Sequence, residues 1–363
     1  RSVSRLTSAV TLVVAFGCAP TGPVDPREEA ELSCSIPVAD ILSGARKDGI
    51  PALTDPERLQ GNSGDPRYPA LEDRIIGVLF EGEPIAVPER IFWYHEIVNV
   101  TLAGSAVAVT HCPLTGSSLA FARGPVDGVE FGVSGLLYQN NLIMYDRSSG
   151  EESLWPQMLR GARCGDRDGL ELPMVPVVEM TWAGWLTLYP DSEVVSEATG
   201  FDFDYDYYPY GDYNRPDNEL VLYPLADPMD LRRPPKERAL GIPDGEGGIA
   251  YPFGELVREA SRGGSDLAVV AGGTSGGDFI VFWDGRREGG MAFRPVIDAR
   301  MLTFEVDGSA IRDVETGSAW TVDGVATSGP LFGRSLEPVA EAFVAYWFAW
   351  PAFYPDVELW RSS

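Results

Sequence analysis

The side chains that could do chemistry lie in one short stretch, which holds the two histidines of the chain, His95 and His111, together with Cys112. An imidazole beside a thiol can act as a base that activates a nucleophile, with Glu96 or Asn99 orienting the base. Imidazole and thiolate groups are also ligands that copper and zinc accept. The stretch therefore supports two chemical hypotheses, a cysteine-dependent enzyme and a metal or redox site.

The metal hypothesis adds either His111 or the thioether of Met144 to His95 and Cys112, a soft set that suits copper, with zinc as the other candidate cofactor. Each residue also has a structural interpretation. A histidine can bond a backbone carbonyl, and a buried cysteine packs as a small apolar residue. Since the sequence contains no P-loop, dinucleotide-binding fingerprint, His-Glu-x-x-His or Cys-x-x-Cys motif, it leaves open whether the protein is an enzyme.

Short strands separated by turns must position these residues. Residues 75–80 and 84–87 predict a hairpin, and the residues from Pro88 to His95 predict a short helical turn. Further short strands flank the turn that follows Cys112. The sequence therefore predicts a mainly β fold of the α+β type, with short helices.

An internal duplication organises the chain, because five segments recur in the same order at an offset of about 165 residues. The matched pairs are 86–88 with 250–252, 103–109 with 263–269, 116–121 with 276–282, 146–155 with 313–320, and 185–191 with 350–356. These matches predict two tandem β-rich units, at residues 44–200 and 236–361.

The second unit keeps the scaffold positions of the first but not its reactive groups. The shared residues are glycine, proline, tryptophan and apolar residues, which turns and packing require. Glu259 stands near the position of His95, and residues 272–275 replace the turn that contains Cys112. We therefore expect the candidate site to lie in the first unit, with the second as a degenerate copy.

Residues 201–235, between the two units, form a segment rich in tyrosine, aspartate and proline. Its alternating aspartates could offer oxygen ligands to Ca²⁺, although the spacing lacks the terminal glutamate of an EF-hand loop. Its prolines and glycines exclude a regular helix. A solvated interdomain linker is the preferred interpretation, and a Ca²⁺ site is the alternative. The aspartates are Asp202, Asp204, Asp206 and Asp212.

Residues 1–18 predict a secretory signal peptide, because an arginine-flanked start precedes an apolar run that is too short to span a bilayer. Residues 15–18 resemble a lipobox, so we expect Cys18 to carry lipid, with an ordinary cleaved signal as the alternative. Residues 19–43 predict a tether. The expected location is the periplasm or the cell surface as a lipoprotein, or the medium if the protein is secreted.

The formal net charge of -26 argues against binding nucleic acid and against adhesion to anionic lipids. We therefore expect membrane contact only through an N-terminal lipid anchor. Export implies an oxidising compartment, in which disulfides form. A bridge between Cys34 and Cys164 with Cys112 free is the preferred arrangement, although spacing alone leaves the connectivity open.

The motifs at residues 93–99, 110–117 and 132–147 together resemble the bacterial family called domain of unknown function 3179. The resemblance covers nearly all of the chain after the signal, and it implies no established activity. Members commonly have Tyr-Cys-Pro-Leu-Cys where this chain has His111-Cys112-Pro113-Leu114-Thr115. The missing second cysteine removes dithiol exchange within this turn, and His111 at a usual tyrosine position is not expected to be a family-wide ligand.

A binding or structural module is the function that the sequence favours, because tandem exported β units without a complete catalytic set are typical of interaction proteins. A copper, zinc or redox site on His95 and Cys112 is the first alternative, and an enzyme with Cys112 as nucleophile is the second. Any site is expected around His95, Glu96, Asn99 and Cys112. The partner, whether protein or small molecule, and the oligomeric state are not specified by the sequence.

Overall fold

The computed structural model describes residues 33–61 and 68–363. The predicted signal peptide, the lipidation candidate Cys18 and most of the predicted tether lie outside these residues. Within the described residues, no helix is both long enough and apolar enough to cross a membrane. The structure is mainly β with short helices, which confirms the fold class predicted from the sequence.

The described residues form a first half, up to residue 200, and a second half, from residue 236. The helices are α1 (Glu89–His95), α2 (Trp182–Leu188), α3 (Phe253–Arg262) and α4 (Ala349–Phe353). The strands of the first half are β1 (Ile41–Ser43), β2 (Leu53–Thr54), β3 (Arg58–Gln60), β4 (Arg74–Phe80), β5 (Glu83–Pro88), β6 (Ile97–Leu102), β7 (Ser105–Cys112), β8 (Ser117–Ala122), β9 (Phe131–Tyr138), β10 (Asn141–Asp146), β11 (Leu154–Pro156), β12 (Met174–Val175), β13 (Val177–Thr181) and β14 (Glu193–Val195). The strands of the second half are β15 (Arg238–Asp244), β16 (Gly247–Pro252), β17 (Leu267–Thr274), β18 (Gly277–Asp284), β19 (Gly289–Arg294), β20 (Val296–Ile297), β21 (Arg300–Met301), β22 (Phe304–Asp307), β23 (Ala310–Asp313), β24 (Ala319–Trp320), β25 (Ala326–Ser328), β26 (Glu337–Pro338), β27 (Phe343–Tyr346) and β28 (Asp356–Leu359).

The first half is built on a hairpin and a meander. Strands β4 and β5 pair antiparallel, α1 follows, and β6, β7 and β8 form an antiparallel meander. The chain later returns to the hairpin, where β13 pairs antiparallel with β4 and β14 pairs parallel with β5. Pro88 precedes α1 and Glu96 ends it at a positive φ, so the helix is limited to seven residues.

The second half repeats this pairing. Strands β15 and β16 form the hairpin, α3 follows, and β17, β18 and β19 form the meander. Strand β27 then pairs antiparallel with β15, and after α4 strand β28 pairs parallel with β16. The two halves therefore share one order of elements, although their descent from a single duplicated unit stays a prediction.

The two hairpins are also packed in the same way, each against a tryptophan from the helix that crosses it. A Cβ atom on Gly77 of β4 would lie 2.3 Å from the ring of Trp185, and one on Gly241 of β15 would lie 2.3 Å from the ring of Trp350. Only glycine leaves room for an indole at that distance, since real Cβ atoms do not approach other atoms so closely.

A second contact is common to both halves. The indole N–H of Trp155 donates to Asp146 over 2.8 Å, and that of Trp320 donates to Asp313 over 3.0 Å. Both carboxylates are buried. The sequence match between these two segments is therefore also a match of contacts.

Two of the sequence matches pair strands that are not equivalent in the fold, each displaced by one strand. Matching 103–109 with 263–269 and 116–121 with 276–282 aligns β7 with β17 and β8 with β18. Strand order instead makes β6, β7 and β8 the counterparts of β17, β18 and β19. One cause is the longer helix of the second half, with ten residues in α3 against seven in α1, which shifts the offset in this region.

The two halves are interlocked, because each places a strand beside the meander of the other. Strand β27 pairs with β8 through Val344 and Ser118, so the meander of the first half and the hairpin of the second form one sheet. Strand β13 lies beside β19 in turn, and the backbone N–H of Thr181 donates to the carbonyl of Arg287 over 2.9 Å. The largest core cluster accordingly contains residues of both halves.

The segment 201–235, predicted to be a solvated linker, has no helix or strand and packs on the first half. Tyr205 and Tyr213 are buried, whereas the four aspartates considered for Ca²⁺ are exposed. The linker is therefore solvated on its acidic side and docked on its aromatic side.

A disulfide joins Cys34 to Cys164, and Cys112 is free and buried. This is the arrangement that the sequence analysis preferred. The bridge attaches the N-terminal arm, which continues into β1, to the loop after β11.

Alanine substitution at either hairpin glycine tests the shared packing. We expect Gly77→Ala and Gly241→Ala each to lower the free energy of unfolding by about 1–3 kcal/mol, because the new methyl group overpacks against an indole. Gly263→Ala is the matched control, since its Cβ would meet nothing closer than 3.4 Å. Denaturant unfolding measures all three variants, and full stability of the Gly77 and Gly241 variants would contradict the packing described.

Candidate functional site

His95 ends α1, and both of its ring nitrogens are engaged. Nδ1 lies 2.7 Å from the carbonyl oxygen of Pro51, and Nε2 lies 2.6 Å from the hydroxyl of Tyr205. Because a carbonyl can only accept, Nδ1 carries the proton and Nε2 accepts from the tyrosine. Burial lowers the pKa of His95 to about 4, against the opposing effect of the Pro51 bond. The ring is therefore a neutral connector between the first half and the linker.

Cys112 ends β7 in a buried position at the turn between β9 and β10. Its sulfur accepts the backbone N–H of Leu142 over 3.3 Å, and its thiol points to the carbonyl of Asn140 over 3.7 Å. Burial raises the pKa of the thiol to about 11, and the neighbouring Glu96 carboxyl adds to the rise. The group is therefore a protonated thiol at neutral pH, and a thiol must ionise before it attacks or binds a metal.

Glu96 is the one residue of this stretch whose reactive group lacks a partner. Its backbone has a φ of 55°, a conformation that is costly for a residue with a side chain, and its carbonyl accepts the N–H of His111. Its carboxyl is buried, and no residue in the described part of the chain hydrogen-bonds to it. Burial raises the pKa of Glu96 to about 8, so the carboxyl is largely protonated at neutral pH.

Asn99 and Met144 serve the fold. The amide of Asn99 donates to the carbonyls of Leu53 and Phe131 over 3.1 and 2.9 Å, and accepts the N–H of Phe131 over 2.9 Å. It therefore links β2, β6 and the start of β9. Met144 lies buried in β10, opposite Trp155 in β11.

His111 belongs to a buried polar group where the two halves join, which we call the junction cluster. Its members are Arg74, Glu89, His111, Ser118, Glu179 and Arg238. Arg74 is the first residue of β4 and Arg238 the first residue of β15, so the two arginines occupy equivalent positions in the two hairpins. Both glutamates come from the first half, Glu89 from α1 and Glu179 from β13.

Ion pairs connect these charges across the junction. Arg238 lies 2.8 Å from Glu89 and 3.4 Å from Glu179, and Arg74 lies 3.4 Å from Glu179. Burial alone would raise the pKa of Glu89, but the positive charges of Arg238 and Arg74 outweigh it and lower the pKa. The cluster is therefore a neutralised set that spans both halves, with buried glutamates and partly buried arginines.

The hydrogen bonds among His111, Ser118 and Glu179 have the donor-to-acceptor direction opposite to that of a catalytic triad. Ser118 donates to Glu179 over 2.6 Å, and Nδ1 of His111 lies 2.8 Å from the Ser118 oxygen. Since the serine proton points to the glutamate, Nδ1 donates to the serine. A nucleophilic serine would instead give its proton to the imidazole.

The structure therefore gives His95, His111, Cys112 and Met144 four different sets of partners. Among the residues that the structure describes, no group of three or more histidine, cysteine, aspartate or glutamate side chains is arranged to hold a metal ion. Among the candidate side chains, only the carboxyl of Glu96 and the thiol of Cys112 interact, and Glu96 and Asn99 do not orient His95. Copper or zinc binding by the four residues stays a prediction.

A cavity that the sequence analysis did not anticipate lies between the halves, and we call it the junction cavity. Its volume is about 250 Å³. The first half supplies Gly77, Leu79, Glu81, Gly82, Pro176, Val178, Trp185 and Tyr189, and the second half supplies Met291, Phe293, Asp323, Val325, Ser335, Leu336 and Pro338. The walls are thus mainly apolar. Only the repeated Trp-to-Tyr segment at 185–191 gave a signal in the sequence, because the other wall comes from distant strands.

One polar pair stands out in this cavity. Oδ1 of Asp323 is buried without a hydrogen-bond partner. The side chain of Tyr189 lies near the same carboxylate, and burial together with this negative charge raises the pKa of Tyr189. A mainly apolar concavity with a few polar groups is the usual form of a small-molecule site.

The family model described as "Protein of unknown function (DUF3179)" matches residues 47–357, which include every candidate site above. The chain belongs to this family. No curated protein and no solved structure matches the chain significantly. The membership confirms the resemblance inferred from the sequence motifs.

Thr115, at the position where the resemblance implies a second cysteine, lies within a buried hydrogen-bond network. The Thr115 hydroxyl accepts from the amide of Asn141 over 2.9 Å and lies 2.9 Å from the hydroxyl of Ser117. Gln157 accepts from both Ser117 and Asn141. Hydroxyl and amide partners thus hold this turn in place.

The pH dependence of stability tests the unpaired carboxyl of Glu96. Between an unfolded pKa near 4.5 and the folded value of about 8, the folded protein keeps a proton that the unfolded chain has lost. The protein should therefore lose stability as the pH rises through this window, by up to about 1.4 kcal/mol per pH unit. Glu96→Gln removes this dependence. The free energy of unfolding of the variant, relative to that of the parent, should therefore rise from pH 5 to pH 8.

Chemical denaturation at several pH values measures this difference. Glu305→Gln, at an exposed strand position, is the control and should show a constant difference from the parent. A constant difference for Glu96→Gln as well would show that the carboxyl is not desolvated.

Proposed function

We propose that this DUF3179 protein is an exported binding module that holds a small molecule in the junction cavity. The observation that carries the proposal is the cavity itself, with apolar walls from both halves and one buried carboxylate oxygen that lacks a partner. Buried polar atoms are normally paired, and those left unpaired mark places where a ligand or water completes the structure.

The state of the reactive residues supports a binding role over the two chemical alternatives. His95 has both nitrogens bonded, and Cys112 is a buried thiol with a raised pKa. A metal centre or a cysteine nucleophile built on these residues requires His95 to release its hydrogen-bond partners and Cys112 to ionise. The junction cavity requires no such change.

The proposed duplication gives the second half a functional role. If residues 44–200 and 236–361 are tandem copies, the degenerate copy contributes one wall of the cavity while lacking the first copy's histidines and cysteine. Met291, Phe293 and Leu336 are its main apolar contributions. The binding site would then be a product of the tandem arrangement, since neither copy encloses it alone.

The proposed location is the periplasm or the cell surface, with a lipid on Cys18 as the anchor, or the medium if the signal is cleaved without lipidation. The Cys34–Cys164 disulfide supports export, because such bridges persist in oxidising compartments. The net charge of -26 favours neither nucleic acid nor an anionic membrane surface as a partner.

A titration with 2-phenylethanol tests whether the cavity binds small molecules. We expect the thermal unfolding midpoint to rise and then level off, with a stabilisation of about 1.4 kcal/mol at a tenfold excess over Kd. Leu79→Trp should abolish the rise, because Leu79 lines the cavity and is exposed enough to accept a larger ring.

Leu71→Trp is the matched control, since Leu71 is exposed and is not among the lining residues. It should bind as the parent does. The proposal fails if the parent shows no saturable shift, or if Leu79→Trp shows the same shift as Leu71→Trp.

A further inference from the structure

We infer that the junction cavity selects a small primary ammonium ion with a short apolar tail, and that the ammonium group binds Asp323. The inference rests on the proposed function, because it names the ligand class of the same cavity. Three independent features of the junction lead to this class: an unsatisfied acceptor, a comparison with the second half, and the charge of the walls.

The unsatisfied acceptor is the carboxylate of Asp323, which lines the cavity and whose Oδ1 has no hydrogen-bond partner. A carboxylate oxygen removed from water is costly unless a donor reaches it. The Tyr189 side chain lies near this carboxylate, whose two oxygens have capacity for several bonds. An ammonium group brings three donors and a compensating charge, and bonds between ionised groups are the stronger kind.

The equivalent tyrosine of the second half shows what a closed version of this site looks like. Tyr354 follows α4 as Tyr189 follows α2, so the two tyrosines are equivalent. Tyr354 is buried, and its hydroxyl donates to the backbone carbonyl of Met158 over 2.6 Å. A neutral carbonyl satisfies one hydroxyl. In the junction cavity, the carboxylate of Asp323 stands near Tyr189 in place of such a carbonyl. This leaves an acceptor and a negative charge to be satisfied.

The charged residues of the cavity walls disfavour an anionic ligand. Among the described residues that line the cavity there are two acids, Glu81 and Asp323, and no lysine, arginine or histidine. An anionic ligand would therefore meet repulsion without a counter-charge, whereas the chain's net charge of -26 raises the local concentration of cations. Trp185 and Phe293 add aromatic rings, which attract cations as well as apolar groups.

The volume of the junction cavity limits the size of the ligand's apolar tail. An apolar cavity of about 150 Å³ accepts benzene in an engineered protein. The junction cavity, at about 250 Å³, can therefore hold one ring with a short arm that ends in the ammonium group. A primary amine with an aromatic or branched aliphatic tail of this size fits the apolar walls and reaches the carboxylate.

Three probes of nearly equal shape test the inference: 2-phenylethylamine, 2-phenylethanol and phenylacetate. Calorimetric or thermal-shift titration at pH 7 and 150 mM salt should give a Kd for the amine about tenfold or more below that of the alcohol, with no binding of phenylacetate. Asp323→Asn should bring the amine and the alcohol to within about threefold of each other. Because each ratio is taken within one protein, a loss of folded material cannot imitate this result.

Glu305→Gln is the control, since it removes one exposed charge outside the cavity and should leave the preference for the amine unchanged. If the alcohol binds and the amine binds no more tightly, the inference fails while the proposed function stands. If none of the three probes binds, both fail. A preference for the amine that survives in Asp323→Asn would overturn the assignment of that carboxylate.

Discussion

The structure depends on pairing the charges of Arg74 and Arg238, two partly buried arginines, where its two halves meet. Charges removed from water are tolerated only when they are paired. Arg238 pairs with Glu89 and Glu179 of the first half, and Arg74 pairs with Glu179 and with Glu288 of the second half. Because Arg238 opens the hairpin of the second half, its ion pairs fix where that hairpin lies against the first half. The pairing of Val344 with Ser118 falls at the same place, so sheet register and charge pairing determine each other.

This constraint explains why so much reactive chemistry is unavailable in the first half. His111 and Ser118 are directed by Glu179, which itself is held by arginines, and the resulting polarity of the hydrogen bonds leaves serine without a base. His95 is occupied in the same manner, by the docked linker. What remains accessible at the junction is the space between the first hairpin and the second meander, where Tyr189 meets a carboxylate from the other half.

The sequence predicted the features that depend on local pattern. The hairpin at residues 75–87 and the short helix that ends at His95 are both present. It missed what depends on distant partners: Tyr205 is 110 positions from the histidine that it bonds, and Asp323 lies 134 positions beyond Tyr189. The middle repeat matches slipped by one strand because glycine-rich turns resemble each other, whereas strand order is set only by pairing in three dimensions.

The most direct test of the central claim, that the two halves form a ligand site at their junction, is a crystal structure of the protein with 2-phenylethylamine at a saturating concentration. We expect the ring among Trp185, Met291 and Phe293, with the nitrogen about 3 Å from a carboxylate oxygen of Asp323. An empty junction cavity, or an amine bound instead beside Glu96 and Cys112, would contradict the account.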